Sequence, residues 1–223
     1  MSFWKKFNNK TSNYLIKKLV NKKFRKFNFI EDSFYNHIRD IFALIIPLIQ
    51  SNNKILKVLD YGGGNGVAIY NLFNKIDVSR VSFYVYDPFL VANKFVKKNK
   101  IKIYYSSNLI PYKKENFDLV YFGSSWQYLN NIKNIFNKIN LKKKSYILIS
   151  HTPFSISNSF SCKQLNHKSL IQNVHSFNGI CKFFLKNNFK IIFKSLLDSK
   201  YSKVNKKFLH KTIYLNMLLK KKY

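Results

Sequence analysis

A glycine-rich segment at residues 58–66 carries the strongest chemical signal in the sequence and reads Val-Leu-Asp-Tyr-Gly-Gly-Gly-Asn-Gly. Gly62, Gly64 and Gly66 allow the backbone to turn sharply and to approach a ligand without a Cβ in the way. A helix that begins near Gly66 would present free backbone N–H groups to an anion such as a carboxylate. Asp60 stands two residues before Gly62, which gives DxGxGxG instead of the GxGxxG of dinucleotide sites. The pattern indicates a small ligand that bears both an ammonium and a carboxylate group.

A second acidic position follows at Asp87, 21 residues after Gly66 and at the end of the next apolar run. A carboxylate at that point is placed to accept hydrogen bonds from both hydroxyls of a ribose. Pro88 and Phe89 come directly after it and would flank an adenine ring as apolar walls. The chain has only nine acidic residues, so two of them at the ends of neighbouring predicted strands are rarely a matter of composition.

Alternating strand and helix patterns position these residues from residue 55 onward. Strands are predicted at 57–61, 81–86, 101–105, 117–122 and 145–150, with helices at 67–75, 89–98 and 132–139. This alternation predicts a parallel sheet that is covered on both faces. A further helix is predicted from residue 33 to about residue 50, with Asp32 or Ser33 as its N-cap.

The C-terminal part follows a different pattern. Ser176 is a candidate cap for a helix that runs to residue 186, and two apolar runs at 189–196 and 212–219 predict an antiparallel pair at a sheet edge. The Ser- and Asn-rich stretch at 153–175 is predicted to be a loop over the site. The predicted fold class is therefore α/β: a Rossmann-like, mostly parallel seven-stranded sheet with helices on both faces and a C-terminal antiparallel hairpin. Residues 1–32 are predicted to be a basic extension and residues 33–223 a single domain.

The glycine loop after the first strand, the acid after the second and the terminal hairpin together resemble the class I S-adenosylmethionine-dependent methyltransferases over residues 33–220. The resemblance implies that S-adenosylmethionine is the cofactor and that Asp60 holds its methionyl ammonium. It also implies that the glycines admit the methionine portion and that Asp87 binds the ribose. The resemblance also implies that Ser106, Ser107 or Asn108, after the third strand, lies near the adenine, and that Ser124 and Ser125, after the fourth, face the cofactor or the acceptor. Pro88, Ser107, Asn108 and Ser124 are therefore counted with the cofactor-binding candidates.

A narrower resemblance covers residues 117–129 and 147–154, which are similar to methyltransferases from bacterial surface-polysaccharide gene clusters. It implies a bacterial enzyme that methylates a hydroxyl of a sugar or of a surface-glycan intermediate. Members of that group tend to carry an acid where this chain has His151, so the resemblance assigns no role to the histidine.

His151 is a candidate general base by its position at the carboxyl end of the fifth predicted strand, where such sheets bind ligands. The alternative is a structural histidine that is hydrogen-bonded to the backbone. Ser125, Trp126 and Gln127, with Tyr128, are candidates for a wall that contacts the substrate; the alternative is the first turn of a helix with its aromatic rings in the core. His167 and His175 fall in the predicted loop and are interpreted as surface polar residues.

The sequence lacks the motifs of several other classes of enzyme and of metal-binding protein. The sequence has no G-x-S-x-G elbow of a serine hydrolase and no NPPY element of base-amino methylation. Cys162 and Cys181 form neither a CxxC pair nor a disulfide framework, and no metal site is predicted because Cys162 and His167 have no paired carboxylates near them.

The net charge of +31 makes nucleic acid a partner to consider, and an RNA methyltransferase is one alternative. A non-catalytic binding module with a cofactor fold is the other. Only three of the 40 basic residues are arginine, however, and heavy use of Lys, Asn, Ile, Phe and Tyr is typical of A/T-rich codons. The composition therefore favours codon drift over nucleic-acid recognition, because nucleic-acid surfaces prefer arginine.

Residues 1–30 carry nine Lys and Arg and no acid among spaced aromatic residues. They predict either an amphipathic segment on an anionic membrane surface or an extension whose aromatic rings pack on the domain. The longest apolar run, at 41–49, is nine residues long and contains Pro47, which is too short to span a membrane. No secretory signal is indicated, so the expected location is the cytoplasm, with peripheral contact at the inner face of the membrane.

Overall fold

A computed structural model describes residues 40–50, 54–70, 72–73, 75–90, 94–98, 101–165, 170–197 and 204–222. Within those residues the chain forms one ten-stranded sheet. Its strands are β1 (Leu56–Tyr61), β2 (Val81–Tyr86), β3 (Lys94–Lys98), β4 (Ile101–Ser106), β5 (Phe117–Gly123), β6 (Leu141–Ser155), β7 (Phe160–Lys163), β8 (Ile171–Ser176), β9 (Phe189–Leu196) and β10 (Thr212–Lys221). The helices are α1 (Asp40–Ile49), α2 (Val67–Tyr70), α3 (Ile132–Phe136) and α4 (Phe177–Lys186).

The centre of the sheet is parallel, in the order β4-β2-β1-β5-β6. Its strands are rich in Val, Ile, Leu and aromatic residues and are buried on both faces, as is typical of parallel strands. Helices α1 and α2 cover one face through a core that includes Phe42 and Ile69. Helices α3 and α4 cover the other face through Phe136 and Phe184. The predicted fold class is confirmed in its parallel sheet and its helices on both faces.

The C-terminal antiparallel hairpin is also confirmed, because β10 pairs with β6 on one side and with β9 on the other. Helix α4 begins after Ser176, whose Oγ accepts a hydrogen bond from the Gly179 N–H, as a capping serine should. Asn188 ends the helix region with a positive φ of 62°.

The sheet has ten strands, three more than the seven that the sequence predicts. The helix predicted at 89–98 is wrong at its end: Lys94–Lys98 is strand β3, antiparallel to β4. The apolar residues there also satisfy helical spacing, but β4 offers an open edge whose backbone groups a strand can pair with.

The loop predicted at 153–175 is also wrong. Strand β6 continues to Ser155, and β7 and β8 form an antiparallel pair whose β8 runs parallel to the end of β6. Alternate positions of β8 are buried, but one of them is Gln172, so the strand period is hidden in a polar sequence.

The basic extension, the domain boundary at residue 32, the N-cap at Asp32 or Ser33, and His167 all lie outside the described residues. Among the described residues, no helix is both long and apolar enough to cross a bilayer.

Candidate functional site

The loop between β1 and α2 adopts the left-handed turns that its glycines predict. Gly62, Gly64 and Gly66 have φ angles of 75°, 57° and 80°, a region in which side chains are strained. The Gly62 N–H donates to the carbonyl of Tyr86 at 2.7 Å, and Gly66 N–H donates to the Gly63 carbonyl at 2.9 Å. The loop therefore leaves β1 at the carboxyl edge of the sheet and is fastened to the end of β2.

Side chains of neighbouring residues occupy the space that a Cβ would fill at two glycines of the loop. A Cβ at Gly62 would lie 2.5 Å from Cβ of Ser125, and one at Gly63 would lie 2.4 Å from Oδ2 of Asp60. Asp60 is 1% exposed, so its carboxylate is held directly under the loop. Among the described residues, a Cβ at Gly64 would meet only Asp87 Oδ2, at 4.0 Å.

Tyr105 is a site residue that the sequence did not single out. Its hydroxyl donates to the carbonyl of Asn65 at 3.3 Å, and a Cβ at Gly66 would lie 2.6 Å from that hydroxyl. Burial raises the pKa of Tyr105 well above its usual range, so the hydroxyl stays protonated and can donate. A tyrosine in a predicted buried strand looks like a core residue, and nothing in the local sequence marks it.

Asp87 lies across the loop from Asp60 and is also buried. Its Oδ2 accepts a hydrogen bond from the Gly64 N–H, and its Oδ1 accepts one from the Phe89 N–H, both at 2.9 Å. Burial raises the pKa of Asp87, and the two hydrogen bonds oppose that shift. Each carboxylate oxygen keeps a further lone pair for a ligand.

The turn after β4 lies beside Asp87, whose N–H donates to the Ser106 carbonyl at 3.1 Å. Ser107 and Asn108 are exposed in this turn, and Asn108 Oδ1 accepts from the Ile110 N–H. Pro88 is half-buried next to Asp87. The structure therefore brings the implied ribose- and adenine-binding residues to one end of the site.

The two serines after β5 differ. Ser124 is half-buried with a φ of 56°, and its N–H donates to the Ser150 carbonyl at 3.0 Å. Ser125 is buried, and its Oγ donates to the Tyr61 carbonyl at 2.5 Å. The hydroxyl hydrogen of Ser125, which is predicted to contact substrate, joins the turn after β5 to the end of β1.

Trp126 belongs to the core. Its side chain is 0% exposed and packs between the rings of Phe122 and Phe184, at centroid distances of 5.0 and 5.7 Å. Residues Trp126–Tyr128 form a single 3₁₀ turn. Of the two interpretations of this segment, the helical turn with buried aromatic rings describes Trp126, because its ring has no exposed face for a sugar.

Gln127, which is buried, and Tyr128, which is half-buried, belong to a cluster of neutral polar groups. Gln127 is 2% exposed, and its Oε1 accepts no hydrogen bond from the described residues. The hydroxyl of Tyr128 contacts the amides of Gln127 and Gln164. Burial, together with the proximity of Tyr128, raises the pKa of Tyr214 well above its usual range, so both tyrosines remain neutral.

His151 adjoins this cluster through a ring contact with Tyr214, at a centroid distance of 6.3 Å. It lies in β6 beyond the last residue that β6 pairs with β5, Ser150, and its φ is 53°. His175, by contrast, contacts the Leu129 carbonyl through Nε2 at 3.1 Å, and burial lowers its pKa. His175 therefore holds β8 against the turn after β5 instead of standing on the surface.

The remaining acids in the sheet are at the opposite edge. Lys57 forms an ion pair with Glu115 at 2.6 Å, and Lys142 forms one with Asp118 at 2.7 Å. Among the described residues, no three His, Cys, Asp or Glu side chains are grouped closely enough to hold a metal ion.

Comparison with solved structures shows the fold of S-adenosylmethionine-dependent methyltransferases. The chain is similar to the 1,6-didemethyltoxoflavin-N1-methyltransferase of Burkholderia thailandensis, solved with S-adenosylhomocysteine (TM-score 0.55, 10% identity, 94% of this chain and 89% of that one). It is also similar to a methyltransferase of Methanosarcina mazei (TM-score 0.53, 13% identity, 80% and 97% of the two chains). A third match is the cyclase SpnF (TM-score 0.50, 9% identity, 82% and 80%).

These similarities concern the fold, and one of the three proteins is named for a cyclisation, so the fold alone does not select a reaction. No protein-family model and no curated protein matches the sequence. None of the three structures is described as a protein of surface-polysaccharide biosynthesis, and the narrower resemblance gains no support from them.

Proposed function

We propose that the protein is a methyltransferase that binds S-adenosylmethionine and methylates a hydroxyl of a sugar or glycan intermediate. The observation that carries the proposal is the pair of buried carboxylates, Asp60 and Asp87, on either side of a loop whose three predicted glycines are all left-handed. In a chain with a net charge of +31, two acids at the ligand-binding edge of the sheet favour a ligand with an ammonium and a ribose.

The residues present fit that cofactor. The space next to Gly64 is open towards the Asp87 carboxylate, as the approach of a ribose requires. Asp87 has lone pairs left on both oxygens, and Asp60 supplies the negative charge that an ammonium needs under the loop. Pro88, Ser107, Asn108 and Ser124 would complete the cofactor site.

S-adenosylmethionine, when bound, supplies a methyl group on a positively charged sulfur, so most of the driving force belongs to the cofactor. The protein has to align the acceptor and to take a proton from its hydroxyl. His151 is the proposed base, because its ring lies beside Tyr214 at the ligand-binding edge and imidazole is the side chain that most often serves as a general base.

A sugar is the proposed acceptor because the polar groups next to His151 are neutral. Tyr214, Tyr128, Gln127 and Gln164 offer hydroxyl and amide groups, and none of these side chains is a cation. An RNA acceptor would instead require Lys or Arg to contact phosphates. The similarity of residues 117–129 and 147–154 to surface-polysaccharide methyltransferases points the same way and extends the proposal to a bacterial cytoplasmic enzyme of glycan biosynthesis.

The cofactor assignment is tested by calorimetry with S-adenosylmethionine, S-adenosylhomocysteine and NAD. We expect the first two to bind and NAD not to bind. Asp87→Ala should weaken binding by roughly 1.5–3 kcal/mol, the scale for losing hydrogen bonds to a charged group. Asp77→Ala is the matched control, since it removes an equal charge from an acid whose side chain bonds Ser79 in the turn before β2. Equal effects of the two substitutions, or no binding to the unaltered protein, would remove the assignment.

The acceptor class is tested by following S-adenosylhomocysteine release with nucleotide sugars, deoxysugar glycans and bulk RNA. Stimulation by a sugar and not by RNA supports the proposal. Stimulation by RNA alone, with a steep dependence on salt, would make the protein an RNA methyltransferase. Cofactor binding without turnover on any acceptor would favour a non-catalytic binding module.

A further inference from the structure

Strand β6 contains an extra residue where it passes His151. Leu215 of β10 is opposite Thr152, but Met217 is opposite Ile149, so Ser150 and His151 together face the single residue Asn216. This is a β-bulge, and His151 occupies it with a φ of 53°. Bulges re-aim side chains and occur next to active sites, so this one decides where the imidazole lies.

The Asn216 side chain closes the bulge. Its Oδ1 accepts a hydrogen bond from the His151 N–H at 3.1 Å, and its Nδ2 donates to Ser195 Oγ at 3.2 Å. Asn216 is 6% exposed and His151 is 4% exposed, so little water competes for the hydrogen bond between the Asn216 amide and the His151 N–H. Ser195 lies directly opposite Asn216 in β9, and the amide therefore links three adjacent strands.

The left-handed conformation is unfavourable for histidine and neutral for glycine. If the only role of this position were to form the bulge, glycine would make the protein more stable there. Instead, the buried side-chain amide of Asn216 holds a histidine in the strained conformation. Residues that the surrounding structure holds in a strained conformation are typical of functional sites.

We infer that Asn216 is a positioning residue, which fixes the backbone of His151 at the bulge and so holds its imidazole beside Tyr214. The inference rests on the proposed function, in which His151 takes the proton of the acceptor. Asn216 acts through His151, and Ser195 orients its amide.

The test compares Asn216→Ala and Asn216→Asp by NMR of the histidine Cε1–H groups, with His175 as the internal reference. In the unaltered protein we expect one sharp signal for His151. Asn216→Ala should broaden or split that signal and leave His175 unchanged. Asn216→Asp keeps an oxygen for the His151 N–H, so the signal should stay single. An unchanged His151 signal in Asn216→Ala would overturn the inference, as would equal broadening of His151 and His175.

A double-mutant cycle in thermal unfolding gives a second readout. His151→Gly removes both the strain at the bulge and the ring contact with Tyr214, and Asn216→Ala should lower the melting temperature less in that background than in the unaltered protein. Equal losses in both backgrounds would contradict the inference. In turnover, Asn216→Ala should lower kcat at least tenfold with an unchanged cofactor Kd. Failure of S-adenosylmethionine to bind at all would refute the proposed function and leave the NMR and unfolding results to decide the role of Asn216.

Discussion

Alanine substitutions at Gly62 and Gly64 should have different consequences although both glycines are left-handed. At Gly64 the new Cβ meets no atom of the described residues closer than Asp87 Oδ2 at 4.0 Å, so the expected cost in stability is that of the left-handed conformation, about 1–2 kcal/mol. The same Cβ lies in the space next to the Asp87 carboxylate that the proposed ribose would use. Gly64→Ala should therefore fold and yet bind S-adenosylmethionine at least tenfold more weakly.

At Gly62 the conformational cost is the same, but the Cβ would lie 2.5 Å from Cβ of Ser125. Overpacking adds about 1–3 kcal/mol, and displacing the Ser125 hydroxyl from the Tyr61 carbonyl adds about 1 kcal/mol more. The total of roughly 3–6 kcal/mol is a large share of the 5–15 kcal/mol that usually stabilises a domain. Gly62→Ala should therefore be strongly destabilised or unfolded.

Urea unfolding measures both free energies, and calorimetry measures the binding of S-adenosylmethionine to each folded variant. Ser125→Gly is the matched relief, because it removes the Cβ and the hydroxyl that the new methyl group would strike. Gly62→Ala combined with Ser125→Gly should regain part of the lost stability. Equal destabilisation by Gly62→Ala and Gly64→Ala, or unchanged binding by Gly64→Ala, would refute the steric argument.

Three further outcomes are expected. His151→Ala and His151→Gln should each lower turnover roughly 10²–10⁴-fold with nearly unchanged cofactor affinity, since neither can take a proton; normal turnover in either would assign proton removal to another group. Burial lowers the pKa of His175 in the folded state, so its neutral form contributes stability above its unfolded pKa of about 6.5 that is lost as pH falls through the folded value. Urea unfolding between pH 8 and 5 should show this loss, and His175→Gln, which cannot titrate, should flatten it; the same pH dependence in both proteins would contradict the assignment. Deletion of residues 1–30, which carry nine positive charges, should preserve cofactor binding and weaken sedimentation with anionic vesicles; equal sedimentation of the two proteins would end the membrane hypothesis.

The sequence alone determined the geometry of the proposed cofactor end of the site, for a local reason. Left-handed turns at Gly62, Gly64 and Gly66 depend on the absence of a Cβ, which is visible in the sequence. Parallel strands end at one edge, so the order of the chain was enough to bring Asp60 and Asp87 to the same loop.

Tertiary structure decided the arrangement of the proposed acceptor end. Trp126 is a core residue because α4 covers the face of the sheet on which it lies. Ser125 connects the turn after β5 to β1 because its hydroxyl donates a hydrogen bond to the Tyr61 carbonyl at the end of β1. Strand β3 forms by pairing with β4, and β8 forms by pairing with β6. Both pairings use backbone hydrogen bonds, so they form despite the helical spacing of apolar residues in β3 and the polar composition of β8. The bulge that aims His151 depends on Asn216, 65 residues away. Contacts between residues so distant in the chain produce no periodic pattern of apolar residues in either segment, because each side chain packs against a partner that is nearby only in the folded sheet.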